Sequence, residues 1–338
     1  MYTRTTWAIG NYGKNYLVKS ISNITTRVKK QVQSSLRRSV GARGHRPCRI
    51  SIELTNRCNL NCPFCLVGLQ NDQESVAHHD LGRQWGKMDL GLAEKIISDS
   101  ADFGIQEVML TFQGEPLLHP QFVKFVELVK DHNLKAVLFT NGLLLSAEKS
   151  RSIIRAGLHS IRFSVDGASQ DVYQLNRVGG KFEKVYRNMA EFIRIKNEEN
   201  SPIHVMWQFI AMRNNEHQIE QAREMAQAIG IPFFVKTFAE SNPDLAPVTP
   251  EYQRKPLVKP CLDIYRNIFC FWDGSVVPCC FDLRGKELMG NLNENTLEEI
   301  WNGPRYVEFR RLLSGVSDNP EKEPELCKSC LKWSAKNS

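Results

Sequence analysis

Between Arg49 and Phe238 the sequence alternates six times between a short apolar run and a segment of helical period. "RISIEL" leads, past a cysteine-bearing loop, to "LAEKIISDSADFG", which ends at Gly104. "IQEVMLTF" is followed by "PQFVKFVELVKDHN", with Pro120 at its start, and "LKAVLFT" by "SAEKSRSIIRAG", closed by Gly157. "HSIRFSVDG", "IHVMWQFIAM" and "PFFVKTF" complete the set, with helical patterns over residues 181–199 and 215–229 between them. Parallel neighbours in a sheet need a long crossover, usually a helix, so this α/β pattern predicts a parallel sheet covered by helices. An open doubly wound sheet and a partial barrel both satisfy it. In either, ligands gather at the C-terminal ends of the strands, so the loop after each strand is where functional residues are expected.

The first such loop, "ELTNRCNLNCPFCLVG" over residues 53–68, carries Cys58, Cys62 and Cys65. The chain has ten cysteines in 338 residues. It shows no apolar signal-peptide core and no apolar run of about 18 residues, as a membrane-spanning helix needs. A reducing, cytoplasmic location is therefore expected, where clustered cysteines read as metal ligands or catalytic thiols before disulfides. A cubane iron–sulfur cluster takes four ligands, so three cysteines on one tight loop leave one iron with an open position that a substrate can occupy. A zinc knuckle on this loop would lack a nearby fourth ligand, since His78 and His79 lie 13 and 14 residues beyond Cys65. Residues 69–87 read as an extra polar loop beside the site.

The Cys-x3-Cys-x2-Cys spacing, with Phe64 just before the third cysteine, resembles the radical S-adenosylmethionine (radical SAM) superfamily. The resemblance implies a partial (β/α)6 TIM-like barrel over residues 47–238 and a [4Fe–4S] cluster held by Cys58, Cys62 and Cys65. S-adenosylmethionine (SAM) would be chelated at the open iron, with Phe64 alongside. One electron from a reductant such as flavodoxin or ferredoxin would then cleave SAM to methionine and a 5′-deoxyadenosyl radical. "QGEPLLHP" places Gly114, Glu115 and Pro116 on the family's Gly-Gly-Glu-Pro pattern, with Gln113 replacing the first glycine. Backbone there would receive the methionyl ammonium. Asn141 in "FTNG", with Ser164 or Asp166 in "FSVDG", would bond the ribose or the methionyl carboxylate, although Asn-Gly and Asp-Gly pairs also form ordinary turns. Arg177 in "NRVGGKF" is a candidate carboxylate partner.

Residues 239–260 contain five prolines and read as a linker. Residues 261–338 hold Cys261, Cys279, Cys327 and Cys330, a hairpin turning at Asp273-Gly274, and the helical stretch "NTLEEIWNGPRYVEFRRLL". This part resembles the Cys-rich SPASM/twitch module, which implies a second, auxiliary [4Fe–4S] cluster on those four cysteines. A four-cysteine zinc site would use the same residues. If "VVPCC" is a strand end, Cys280 points to the face opposite Cys279 and could line a substrate cavity. Cys280 or Cys270 would then be candidate hydrogen-atom donors to a substrate radical.

Residues 1–46 hold ten Lys/Arg and no Asp or Glu; the rest of the chain then has 34 basic against 37 acidic residues. The body is thus near neutral, without the basic surplus of a nucleic-acid groove. Within the arm Leu17, Ile21, Ile24, Val28, Val32, Leu36 and Val40 recur at helical spacing among basic residues. Such an amphipathic helix suits peripheral contact with an anionic membrane or packing on the body. Family analogy points to a small-molecule substrate, a sugar or cyclitol undergoing oxidation or epimerisation. Peptide maturation is the alternative, and a non-catalytic iron–sulfur or zinc protein a more remote one.

Overall fold

The structure is a computed structural model that describes residues 46–71, 82–238, 243–253, 261, 263–313 and 324–328. Expectations for the basic arm before Arg46, for residues 72–81 of the polar loop, for much of the proline-bearing linker and for Cys330 lie outside the described residues.

Nine strands form one sheet in the order β6-β5-β4-β3-β2-β1-β7-β8-β9. They are β1 Arg49–Ile52, β2 Glu107–Met109, β3 Lys135–Thr140, β4 Ser160–Ser164, β5 His204–Ala211, β6 Phe233–Thr237, β7 Asn267–Cys270, β8 Ser275–Val277 and β9 Gly290–Asn291. Strands β1 to β6 are parallel, each pairing with the next in sequence. From β1 to β6 the order never reverses, as it must in a doubly wound sheet, so right-handed crossovers place the helices between these strands on the same face. The sheet is a partial barrel.

Strand alternation divides the residues between two environments. Ile50, Ile52, Val108, Leu138, Ile161, Phe163, Trp207 and Phe209 are completely buried on the helix side. Arg49, Met109, Phe139, Arg162 and Met206 line the barrel interior. The helices that cover the first set start and stop where local chemistry directs. Asp89 caps the helix Leu90–Asp102 by accepting from Gly91 N–H, and Ser146 caps Ala147–Ala156 by accepting from Lys149 N–H. Gly157 ends the latter at φ 90°, a left-handed conformation that glycine adopts without a Cβ penalty.

Two elements depart from expectation. Residues 66–71 form a short helix, so the polar loop begins later than its composition suggests. A seven-residue helix, Gln170–Asn176, stands between β4 and the long helix Phe182–Glu198. Among the described residues no helix is long and apolar enough to cross a membrane.

The C-terminal module continues the barrel's sheet. Strand β7 pairs parallel with β1, and β8 folds back on β7 through a turn in which Gly274 has φ 86°. A buried ion pair closes this junction. Arg83 donates to both Glu53 oxygens at 3.0 and 2.9 Å, stacks over Phe271 at 3.5 Å, and donates to Leu283 O at 3.4 Å. Burial raises the Glu53 carboxyl pKa, and Arg83 opposes that rise.

Arg83→Met would leave the Glu53 charge buried and alone, a loss of about 3–5 kcal/mol. The sign of its pH dependence follows from the raised folded-state pKa: the deficit is full near neutral pH and shrinks as acid protonates Glu53. Urea denaturation of both proteins at several pH values checks this. A deficit that is constant with pH would show that lost packing on Phe271 dominates instead.

Candidate active site

The loop after β1 is gripped from several sides. Thr55 donates to Gly86 O at 2.7 Å, and Asn56 exchanges hydrogen bonds with Gln84 O and Gly86 N–H. Asn71, at the end of the short helix, donates to the carbonyls of Cys58 and Leu60 at 3.0 and 3.3 Å. Val178 O accepts from Asn61 N–H at 3.0 Å. With its backbone thus committed, the loop turns Cys58, Cys62 and Cys65 into a cavity of about 140 Å³ shared with Phe64, Gly114, Glu115, Asn141, Ser164 and Arg177.

The structure therefore brings most of the sequence-derived candidates together, but their contacts differ from those expected. Glu115 is buried and spent on its neighbours: Thr140 Oγ1 donates to it at 2.7 Å, Asn141 N–H at 2.9 Å and Leu117 N–H at 3.1 Å. Burial raises its pKa against these bonds. Its own N–H donates to Arg57 O. Pro116 begins the buried 3-10 turn that follows. Gly114 has φ 70°, and a Cβ there would stand 2.3 Å from Thr55 O and 2.6 Å from Arg57 O. Only glycine allows that approach.

Asn141 donates to Asn59 Oδ1 at 2.8 Å and accepts from Leu143 N–H, so it braces the cysteine loop. Asp166 lies outside the cavity lining and has both oxygens committed, one to Ile210 N–H at 2.7 Å and the other to Arg177. Arg177 meets that oxygen through Nε at 2.7 Å and Nη2 at 2.6 Å, lies over Phe64 at 5.3 Å, and directs Nη1 to Cys62 Sγ at 3.8 Å. The pair that the sequence offers as ligand contacts is thus bonded to itself and to a cluster thiol. Ser164 lines the cavity with its hydroxyl uncommitted to any described residue. Burial pushes the Cys58 thiol up to about 12, with Glu115 adding to the rise, and the Cys62 thiol up to about 11 against the pull of Arg177.

Asn59, Asn71, Arg83 and Thr140 escape sequence reasoning. Asn59 and Thr140 sit one residue from a motif cysteine and a motif asparagine, a positional signal that is available but unspecific. Asn71 and Arg83 fall in a stretch whose polarity suggests solvation.

In the C-terminal module Cys261, Cys279 and Cys327 are buried, and Cys330 lies outside the described residues. The Cys279 and Cys280 thiols share a hydrogen bond, and this contact, burial and nearby Cys261 raise the Cys279 pKa well above the usual thiol range. Strand β8 ends at Val277, before Pro278, so Cys279 and Cys280 occupy a turn and strand alternation does not separate them. Cys280 packs on Phe269, Phe271 and Val277 beside Phe112. Cys270 is fully buried, donates to Phe271 O at 3.3 Å, and by alternation points to the face opposite Phe269 and Phe271. That face does not look into the barrel.

Comparison with known proteins accords with this geometry. The Radical SAM superfamily model matches residues 52–226, and that of SPASM, an iron–sulfur cluster-binding domain, matches residues 261–331. The chain belongs to the radical SAM superfamily and carries a C-terminal SPASM domain. Among curated proteins it is 26% identical to the PqqA peptide cyclase of Gluconobacter oxydans, over 84% of this chain and 82% of the relative. It is 25% identical to the tungsten-containing aldehyde ferredoxin oxidoreductase cofactor-modifying protein of Pyrococcus furiosus, over 77% and 82%. Among solved structures, Streptococcus suis SuiB bound to S-adenosylmethionine aligns with a TM-score of 0.64 at 15% identity, covering 85% of this chain and 72% of that one. BtrN in complex with AdoMet and 2-DOIA aligns with a TM-score of 0.53 at 18% identity, covering 84% and 92%.

The family's cofactors are [4Fe–4S] clusters and SAM, and the first site fits such a group. Among the described residues no three His, Cys, Asp or Glu side chains close on a single point that would hold one metal ion. The three thiols instead surround a cavity, as ligands to three different irons must. Buried thiolates need compensating positive charge, which a cluster supplies and which Arg177 alone cannot.

Anaerobically reconstituted protein should hold about eight iron, two [4Fe–4S] clusters, and Cys58→Ala/Cys62→Ala/Cys65→Ala about four, with no 5′-deoxyadenosine formed. Gly114→Ala should also lose iron, because its Cβ displaces the backbone beneath Cys58. Iron and zinc analysis checks both. Stoichiometric zinc with four iron would assign the C-terminal cysteines to zinc.

Proposed function

We propose that this radical SAM enzyme modifies a peptide, oxidising a carbon of an amino-acid residue so that it forms a new bond. One observation of the structure carries the reading: the wall between barrel and hairpin is aromatic. Phe112, just after β2, lies 5.1 Å from Phe269 and stacks on Phe271 at 5.3 Å, with Cys280 packed against the same group. Phe112 and Cys280 are half-buried and form its edge. The adjacent Gln113 amide is already donated to Leu283 O. A sugar or cyclitol would need hydrogen-bonding partners here, whereas an apolar or aromatic side chain is well matched to this wall.

The relatives support the same choice. One is named as a peptide cyclase, and SuiB has been solved with its precursor peptide SuiA. Neither is named as a dehydrogenase or epimerase, so carbohydrate oxidation or epimerisation ranks second.

Cys58, Cys62 and Cys65 would hold the first cluster, which would supply reducing electrons for SAM cleavage, and the C-terminal cysteines would hold an auxiliary cluster, which would accept an electron from the substrate. The chain's own residues do the rest. Arg177, held by Asp166, donates to Cys62 and offsets part of the thiolate charge. The Ser164 hydroxyl and the backbone at Gly114 face the cavity for SAM. Cys261, Cys279, Cys327 and Cys330 are the auxiliary ligands in this reading, and Cys280 is a wall residue. In overall balance the substrate gives one hydrogen atom to 5′-deoxyadenosine and, as the new bond closes, one proton to solvent and one electron.

Anaerobic turnover with SAM, dithionite and either a panel of short synthetic peptides or a panel of sugars and cyclitols tests the reading by mass spectrometry. A peptide product lighter by two hydrogens per bond is expected, with equimolar 5′-deoxyadenosine and no carbon-bound deuterium when the reaction runs in deuterium oxide. Cys280→Ala should still make it and Cys261→Ala should not. Conversion of a sugar but no peptide, or deuterium at an inverted carbon, would refute peptide oxidation.

A further inference from the structure

The opposite mouth of the barrel, at the N-terminal ends of β1 to β5, holds a second cavity of about 230 Å³. Phe139 lines both cavities and stands between them. Nothing in the proposed chemistry uses this lower one, yet its charges are unbalanced.

Arg162 sits in the middle of β4 and points inward, an expensive place for a charge without a partner. Its guanidinium lies over the Phe139 ring at 4.9 Å and makes no hydrogen bond or ion pair with any described residue. Among the described residues Glu107 is the only carboxylate lining the cavity, and it is committed to Arg49 through Nε at 2.8 Å and Nη2 at 2.5 Å. Lys135, on β3, is close enough to act on His159. Two arginines therefore line the cavity against one carboxylate, and Lys135 close by adds a further positive charge. At the rim the rings of His159, just before β4, and His204, the first residue of β5, meet edge to face, 5.2 Å apart. Burial and Arg49 depress the Arg162 pKa, and burial, His204 and Lys135 depress that of His159, with Glu107 opposing both shifts.

We propose that this cavity binds a phosphate group, as the free dianion or as a small phosphomonoester, with the Arg162 fork as principal donor and His159 and His204 closing the rim. A dianion cancels the surplus, and its tetrahedral oxygens can meet donors arriving from different strands. A planar carboxylate satisfies the Arg162 fork alone.

Isothermal titration of the cluster-loaded full chain tests this with inorganic phosphate, methyl phosphate and acetate, on wild type, Arg162→Gln and His204→Gln. Saturable phosphate binding is expected, with acetate weaker. Arg162→Gln should lose about tenfold or more in affinity, as removal of a charge-assisted donor does, and His204→Gln should lose less. Methyl phosphate binding as tightly as inorganic phosphate identifies a phosphomonoester site, and much weaker binding a site for the free ion. Removing an uncompensated cation is not expected to lower the melting temperature, so Arg162→Gln should remain folded. His204→Gln alters an exposed ring and provides the independent check. No saturable binding, or equal phosphate affinity in wild type and both variants, as binding to the basic arm would give, overturns the proposal.

Discussion

Three donors from two loops converge on the Glu115 carboxylate, and the geometry of the upper site depends on that convergence. Thr140 and Asn141 come from the end of β3, and Leu117 from the turn after β2. A carboxylate this deeply buried is tolerated only when its oxygens are satisfied, so the ends of two strands are held at one separation. The Glu115 N–H then holds Arg57 O, and Asn141 holds Asn59. The cysteine loop is therefore fixed on both sides of Cys58. Its position is an outcome of strand ends being locked together, more than of any preference in the loop itself.

The second constraint is the single sheet shared by barrel and module. Because β7 hydrogen-bonds directly to β1, the hairpin bearing Phe269 and Phe271 cannot move without breaking a four-residue parallel register. Glu53 continues β1 toward the cysteine loop, and its carboxylate meets Arg83, which in turn covers Phe271. Lys95 donates to the carbonyls of Leu292 and Asn293, and Asp99 accepts from Leu297 N–H, so one helix of the barrel ties down the module as well. These contacts fix the hairpin and the module's helix against the barrel.

The sequence made legible whatever is encoded locally. Six strands stand where apolar runs stood, and Gly157 closes its helix as expected, because period and capping are properties of neighbouring residues. The three cysteines, Gly114 and Asn141 share a cavity because each follows a strand of a parallel sheet. What was hidden is long-range. Nothing near Arg49 announces a partner at Asn267, and the helix Gln170–Asn176 buries too few residues to show a period. Glu53 was a readable clue: a carboxylate inside an apolar strand requires a cation from elsewhere, although the sequence does not say that Arg83 provides it. Asp166 and Arg177 form another contact that the sequence does not announce. Each is polar and close to a glycine, as ligand contacts often are, yet folding spends them on one another.

That mutual pairing settles the charge of the upper cavity. Asp166 neutralises most of what Arg177 offers, and Glu115 adds a further buried carboxylate beside Cys58. Three thiolates would raise the negative charge further, with only Arg177 close enough to oppose it. The pocket is thus built to receive positive charge, in the form of iron first and then of an ammonium and sulfonium such as SAM carries. The lower cavity, on the far side of Phe139, has the opposite sign, with Arg49 and Arg162 against Glu107 among its lining residues and Lys135 nearby. One barrel therefore presents a negative end where its strands finish and a positive end where they begin. A single aromatic ring lies between the two.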